Sequence, residues 1–268
     1  DIVVQWQGQN SNSKDIFVIK VCTVYFKGMY APEYVTNLYR SLKKHATVPF
    51  EFVCLSDTKD IEADVVLPYN HHTYIKLHWH KLKYFSQLFA NQSPGDEIII
   101  MDIDQLIVSN IDHMLTYPVG NKELVSYQKW WDENPKPPVT INGGWYKFRS
   151  GELCSVWDKF IEDPEHWQLY FYNQNVVHHK YYGEQNFVEM MCRENGAKIT
   201  HMPGKWVGKY TNDDTANRKL NMMYCEQFDQ DYMVLDAPHD DLKIMHFANP
   251  NSTIHHCNEQ WAKDNWLI

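Results

Sequence analysis

Residues 97–108 read EIIIMDIDQLIV, an unbroken apolar run (Ile98, Ile99, Ile100, Met101) with Asp102 and Asp104 directly behind it. Four large apolar residues in succession predict a strand buried on both faces, as in the middle of a parallel sheet. Only Ile103 separates the two aspartates, so an extended chain carries both on one side. Bringing two like charges together out of water is costly unless a cation or a proton compensates them. The plain alternative is a pair of turn carboxylates in open solvent.

The flanking sequence supplies the context for that strand. IFVIKVCTVYF (16–26) predicts a first buried strand, and APEYVTNLYRSLKKHA (31–46) a helix. In that helix Pro32 suits the first turn, and Val35, Leu38, Tyr39 and Leu42 fall on one face. FEFVCLSD (50–57) and DVVLP (64–68) predict strands. KLHWHKLKYFSQLFA (76–90) predicts a second helix with Leu82, Phe85, Leu88 and Phe89 inward, ended by NQSPGD. Strands alternating with helices imply βαβ units, hence an α/β fold with a mostly parallel central sheet flanked by helices. Ligands of such sheets bind beyond the carboxyl ends of the strands. Tyr25, Asp57, Asp102 and Asp104 all stand at such ends and would face one crevice.

The second half is less regular. LVSYQ (124–128), WYKF (145–148), AKITHM (197–202) and LKIMHF (242–247) predict strands. Helices are expected over 152–163, over 184–195 before Gly196, and over 258–266. Residues 129–144, rich in Pro and Gly, predict a loop.

Bulk properties exclude several function classes. A formal net charge of −9 argues against a nucleic-acid partner, which needs a concentrated basic surface. No apolar stretch approaches the length of a membrane span. Residues 1–15 are polar and read as an extension rather than a leader. The six cysteines contain no C-x-x-C pair, and Cys22 and Cys54 lie in predicted strands, so buried thiols in a reducing, cytoplasmic setting are expected.

Asp-x-Asp behind a buried strand has few chemical uses. A calcium loop is excluded, because DIDQLIVSNID lacks the glycine its tight turn requires. Phosphoryl transfer in the haloacid-dehalogenase manner would make Asp102 a nucleophile and Asp104 a general acid. That motif, however, expects Thr or Val at position 106, where this chain has Leu, and it normally opens its domain. The third use is a divalent metal bridging the two phosphates of a nucleotide-sugar, with hard oxygen ligands holding Mn²⁺ or Mg²⁺. A catalytically silent sugar- or nucleotide-binding domain remains a non-enzymatic alternative.

IIIMDIDQLIVSNID resembles the D-x-D segment of GT-A-fold glycosyltransferases, and the order of further segments is most similar to family 8, which includes glycogenin and lipopolysaccharide galactosyltransferases. VCTVYFKGMYAPEYVTNLYRSL is similar to the family's nucleotide-binding first strand and helix. INGGWYKF resembles its N-[SA]-G segment, YGEQN its D-Q-[DN] segment with Glu184 in place of Asp, and KIMHFANP its closing H-F-x-G segment with Asn249 in place of Gly.

The resemblance implies a metal-dependent transferase moving a hexose from a UDP-sugar to a glycan or other hydroxyl acceptor, with retention. It implies Asp102, Asp104 and His246 as metal ligands. It places Thr23, Tyr25 and Asp57 at the base and ribose, Lys81, Asp102 and Ile103 near the donor, and Asn142, Gly143 and Gly144 around the sugar. Gln185 and Glu184 would stand at the reacting centre. For an inverting mechanism Asp132 or Glu133, beside Trp130 and Trp131, would be the base. Each of these also has a plain reading: core packing for Tyr25, a solvated helix lysine for Lys81, a turn for the glycines, a structural imidazole for His246. The implied organisation is an extension (1–15) and one domain (16–268), with a nucleotide-sugar half (16–128) and an acceptor half (129–268).

Overall fold

The computed structural model describes residues 18–28, 30–69, 74–129, 139–210, 233–247, 254 and 257–268. Seven strands form the central sheet: β1 (Ile19–Tyr25), β2 (Glu51–Ser56), β3 (Val65–Pro68), β4 (Glu97–Met101), β6 (Glu123–Ser126), β7 (Trp145–Arg149) and β8 (Lys198–His201). Their order across the sheet is β3-β2-β1-β4-β7-β6-β8. Only β7 runs against the others, antiparallel to β4 and to β6. The expected mostly parallel α/β sheet is therefore what the chain forms.

The apolar run at 98–101 occupies the middle of this sheet because neither of its faces is wet. Ile99 and Met101 join the core on one face with Val21, Phe52 and the inner side of helix α1 (Glu33–His45). Ile98 and Ile100 join the other with Cys22, Val53, Trp79 and helices α3 (Cys154–Glu162) and α5 (Glu184–Glu194). Burying each such side chain contributes about 1.5–3 kcal/mol, so solvent exclusion on both faces favours the central position, which the ladders to β1 and β7 complete. In α1 the buried Tyr34, Val35, Leu38 and Leu42 follow the helical period, and Lys43, Lys44 and His45 complement the dipole at its last turn.

The stretch 76–90 corrects the sequence expectation of one α-helix. It forms a 3-10 helix over Leu77–Phe85 and then turns away. Trp79, Leu82 and Phe85, spaced by three, are all buried, and a helix of three residues per turn aligns such a spacing on one face. Leu88, expected inward, is 97% exposed, because the chain reverses through left-handed Ala90 and Asn91.

Helix α4 (Pro164–Asn173) escaped the sequence reading, although Asp163 caps it by accepting from the His166 amide and Pro164 begins it. A second sheet, also unanticipated, runs β10-β9-β11-β5. Its strands are β5 (Gln105–Ile107), β9 (Val207–Tyr210), β10 (Met233–Leu235) and β11 (Ile244–His246). Two further helices, α2 (Asp112–Leu115) and α6 (Gln260–Asn265), are short. Among the described residues no helix is long and apolar enough to cross a membrane, and Cys22, Cys54, Cys154, Cys192 and Cys257 are free thiols.

Candidate active site

The antiparallel β7 begins where β4 ends, so Met101 lies opposite Trp145. The parallel strands β1, β2 and β6 finish at the same edge. Asp102, Tyr25, Asp57, Tyr127 and the Gly143–Gly144 turn thus emerge along one border of the sheet. The Asp102 amide donates to the Gly144 carbonyl at 3.1 Å, joining the two loops.

His246 reaches this border through the second sheet. β5 starts one residue after Asp104 and pairs antiparallel with β11, His246 opposite Gln105. The Phe247 amide then donates to the Asp104 carbonyl at 2.9 Å. Side chains 142 residues apart are brought together by this register, and His246 Nε2 stands 3.0 Å from Asp104 Oδ1. Ligand atoms of Asp102, Asp104 and His246 all lie within 4.8 Å of one another.

The surroundings orient these groups. The Tyr127 hydroxyl is 3.1 Å from His246 Nδ1, which leaves Nε2 directed at the carboxylates. The Tyr30 hydroxyl donates to Asp104 Oδ2 at 3.1 Å. Lys81 Nζ, almost fully buried, lies 2.5 Å from Asp102 Oδ1 and donates to the Gly143 carbonyl at 2.8 Å. Burial would depress the Lys81 ammonium, but Asp102 and then Glu184 outweigh it and hold it above the usual lysine range. Burial lifts the Asp102 carboxyl, with the nearby Asp104 charge adding to it against Lys81 and His246. Burial also pushes on Asp104, but His246 and the Tyr30 hydroxyl hold it below the usual range.

The residue set suits a divalent cation. Two carboxylates supply hard oxygen donors and one imidazole a borderline nitrogen, a combination that accepts Mn²⁺ or Mg²⁺. The imidazole carries an outer-shell partner, Tyr127, of the kind that fixes ligand orientation.

On the other side of Lys81, helix α5 opens at Gly183, whose φ is +106° and where an added Cβ would strike the Phe171 Cβ at 2.8 Å and its ring at 2.9 Å. Only glycine fits this N-cap. The cap delivers Glu184 and Gln185 to the turn at Gly143: Gln185 Oε1 accepts from the Gly143 amide at 3.0 Å. A Cβ on Gly143 would meet Glu184 Oε2, Gln185 Oε1 and the Tyr146 hydroxyl at 3.1–3.2 Å. One turn further along, Glu189 accepts from the Thr140 amide at 2.6 Å and the Ile141 amide at 3.2 Å, so α5 holds residues 140–143 at two points. Glu184 is buried and, among the described residues, its Oε1 has no partner. Burial lifts its pKa to about 7, with Asp102 adding to the rise and Lys81 opposing it. Asn142, also buried, accepts from the Gly144 amide through Oδ1 at 2.8 Å, and among the described residues its Nδ2 has no partner.

The remaining expected residues are placed differently from one another. Thr23 is fully buried and donates its hydroxyl to the Met101 carbonyl at 2.7 Å. Tyr25 is 2% exposed and packs with the α1 side of the core. Asp57 is exposed and accepts from the Lys27 amide at 3.1 Å. Ile103 is buried in the same core as Tyr25. Asp132, Glu133, Trp130, Trp131 and Asn249 lie outside the described residues.

Sequence reasoning missed Tyr30, Gln105 and Tyr127, and also Phe26 and Tyr69, whose half-buried rings meet edge-on at 4.6 Å beside the ends of β1 and β3. Tyr127 and Phe26 obey the strand-end rule that picked out Asp57. Nothing local marks Gln105, whose Nε2 donates to the Gly144 carbonyl at 2.6 Å.

Neither a family model nor a curated protein matches the sequence. Solved structures do. The galactosyltransferase LgtC, in complex with donor and acceptor sugar analogues, superposes with a TM-score of 0.57 at 10% identity, covering 91% of this chain and 93% of that one. The glycosyltransferase GlyE of Streptococcus pneumoniae TIGR4 superposes with a TM-score of 0.56 at 11% identity, and its apo form with 0.58 at 13%. Each GlyE match covers 94% of this chain, which spans 61% of GlyE's length. The chain therefore has the GT-A glycosyltransferase fold, similar to that of family 8.

Proposed function

We propose that this chain is a metal-dependent glycosyltransferase that moves a hexose from a UDP-sugar to a hydroxyl acceptor with retention of configuration. The observation that carries the reading is the convergence of Asp102, Asp104, His246 and Lys81 at one border of the sheet. Asp102, Asp104 and His246 would hold Mn²⁺ or Mg²⁺, which when bound supplies Lewis-acid neutralisation of the charge growing on the departing UDP.

Lys81, already beside Asp102, offers the phosphates a second positive charge. The base would lie against Phe26 and Tyr69, with Asp57 at its edge, while Thr23, Tyr25 and Ile103 form the packed floor. Asn142, Gly143 and Gly144 would frame the hexose, Asn142 with its Nδ2 and the glycines with their backbone. Glu184, near its midpoint of titration at neutral pH, can donate to or accept from a sugar hydroxyl. Gln185 would face the anomeric carbon, and a neutral amide there can orient the reacting sugar but cannot take up a proton. That property fits retention. The chain reads as one catalytic domain whose halves meet at β4 and β7.

The test is UDP release from UDP-hexoses with Mn²⁺, with and without an acceptor, in the wild type and in Asp104→Asn. Loss of turnover in the variant is expected. A trapped aspartyl-phosphate mimic at Asp102 would instead establish phosphoryl transfer. Sugar binding without turnover, indifferent to chelator, would establish a silent binding domain.

A further inference from the structure

A cavity of about 310 Å³ lies between α4 and α5, lined by none of the acidic cluster. Its volume sits at the lower end of the range of about 300–1,000 Å³ in which small-molecule sites fall. Tyr170, Phe171 and Val176 line it as an apolar wall, and Gln174, Asn186 and Glu194 bring polar side chains to it. Asn186 is only 6% exposed, yet among the described residues its Oδ1 has no hydrogen-bond partner. A buried carbonyl oxygen left unpaired is a place where a bound molecule can donate a hydrogen bond.

The charges narrow the ligand. Arg193 is committed to Glu189, whose Oε1 it contacts at 2.5 Å. That pair is neutral overall, so Glu194 leaves the lining with one excess negative charge. A phosphate, carboxylate or nucleotide is disfavoured there. A neutral molecule with an apolar face for the aromatic wall and hydroxyls for Asn186, Gln174 and Glu194 matches both halves of the lining.

We propose that this cavity is a second carbohydrate site, binding one or two neutral sugar rings away from the Asp102–Asp104–His246 cluster. One ring face packs on Tyr170 and Phe171, and a sugar hydroxyl donates to Asn186 Oδ1. The site rests on its own lining and stands whether or not the cluster takes a metal.

The test is amide NMR of the whole chain titrated with maltose, cellobiose and lactose, with UDP plus Mg²⁺ as a separate arm. A disaccharide is expected to shift residues 170–176 and 186–194 saturably, while UDP shifts those around Asp104. Asn186→Leu removes the acceptor, and Val176→Phe fills the cavity without touching a polar group. Each should weaken sugar binding at least tenfold at an unchanged melting temperature. Absence of shifts at 170–194 with all three sugars overturns the proposal, as does binding that both folded variants retain. Failure in the UDP arm alone would count against the donor reading and leave the cavity standing.

Discussion

His246 shows most sharply how one side chain is prepared for its role. Its Nδ1 is occupied by Tyr127 at 3.1 Å, so Nε2 faces Asp104. Tyr127→Phe removes that hydroxyl and leaves the ring packing, and outer-shell losses of this kind cost roughly 10–100-fold in metal affinity. Mn²⁺ affinity followed by electron paramagnetic resonance should fall by that factor at an unchanged fold. Glu184 makes a prediction of a different kind. Its folded pKa of about 7 lies above its ordinary 4.5, so the folded chain binds this proton more tightly than the unfolded chain. The associated stability is fully present below about pH 4.5 and is lost as pH rises through about 7, a change of roughly 3 kcal/mol. In Glu184→Gln that part of the slope should vanish, as read from urea midpoints at pH 5 and pH 8. A variant that kept the wild-type slope would assign the titration to another group. Both residues were picked out in the sequence, His246 by its place in an apolar strand and Glu184 by the YGEQN pattern. Tyr127 was not, because a tyrosine in a buried strand looks like any core aromatic.

At the scale of elements, legibility followed periodicity. The run at 98–101 and the 3.6-residue spacing of α1 were legible because burial acts on many residues in register. The 76–90 stretch misled because Leu82, Phe85, Leu88 and Phe89 fit an α-helical period while Trp79, Leu82 and Phe85 fit a three-residue one, and only tertiary packing chose between them. Truncation separates the two descriptions. Leu82→Ala should cost about 2–5 kcal/mol from a fully buried site. Leu88→Ala should change stability by less than about 0.5 kcal/mol, whereas an α-helix with Leu88 inward would make the two comparable. Of the second sheet only the strand at 244–246 was legible, from its apolar run; a strand as short as 105–107 displays no period, and the pairing of the two is set by tertiary structure. The sheet's effect converges on Gly144, where a Cβ would run into the Tyr127 hydroxyl and come within 2.9 Å of Gln105 Nε2 and His246 Cε1. Gly144→Ala should therefore destabilise by about 1–3 kcal/mol and weaken Mn²⁺ binding with it, measured by thermal melting and by metal titration.

Across the whole molecule, the two sheets meet at Asp104: β4 delivers the aspartates, and β5 pairs with β11 to return His246 to them. This closure accounts for how the fold tolerates two carboxylates near its core. Lys81 offsets part of their charge, and a divalent cation is proposed to offset the rest. Cation and diphosphate are then mutually dependent ligands, each supplying charge that the other needs. Calorimetric titration of UDP with Mn²⁺, and again with excess chelator, for the wild type and Asp104→Asn, measures that dependence directly. The account predicts wild-type binding at least tenfold tighter with Mn²⁺, and no such difference in the variant. Equal wild-type affinity with and without the metal, or no UDP binding under either condition, would contradict it.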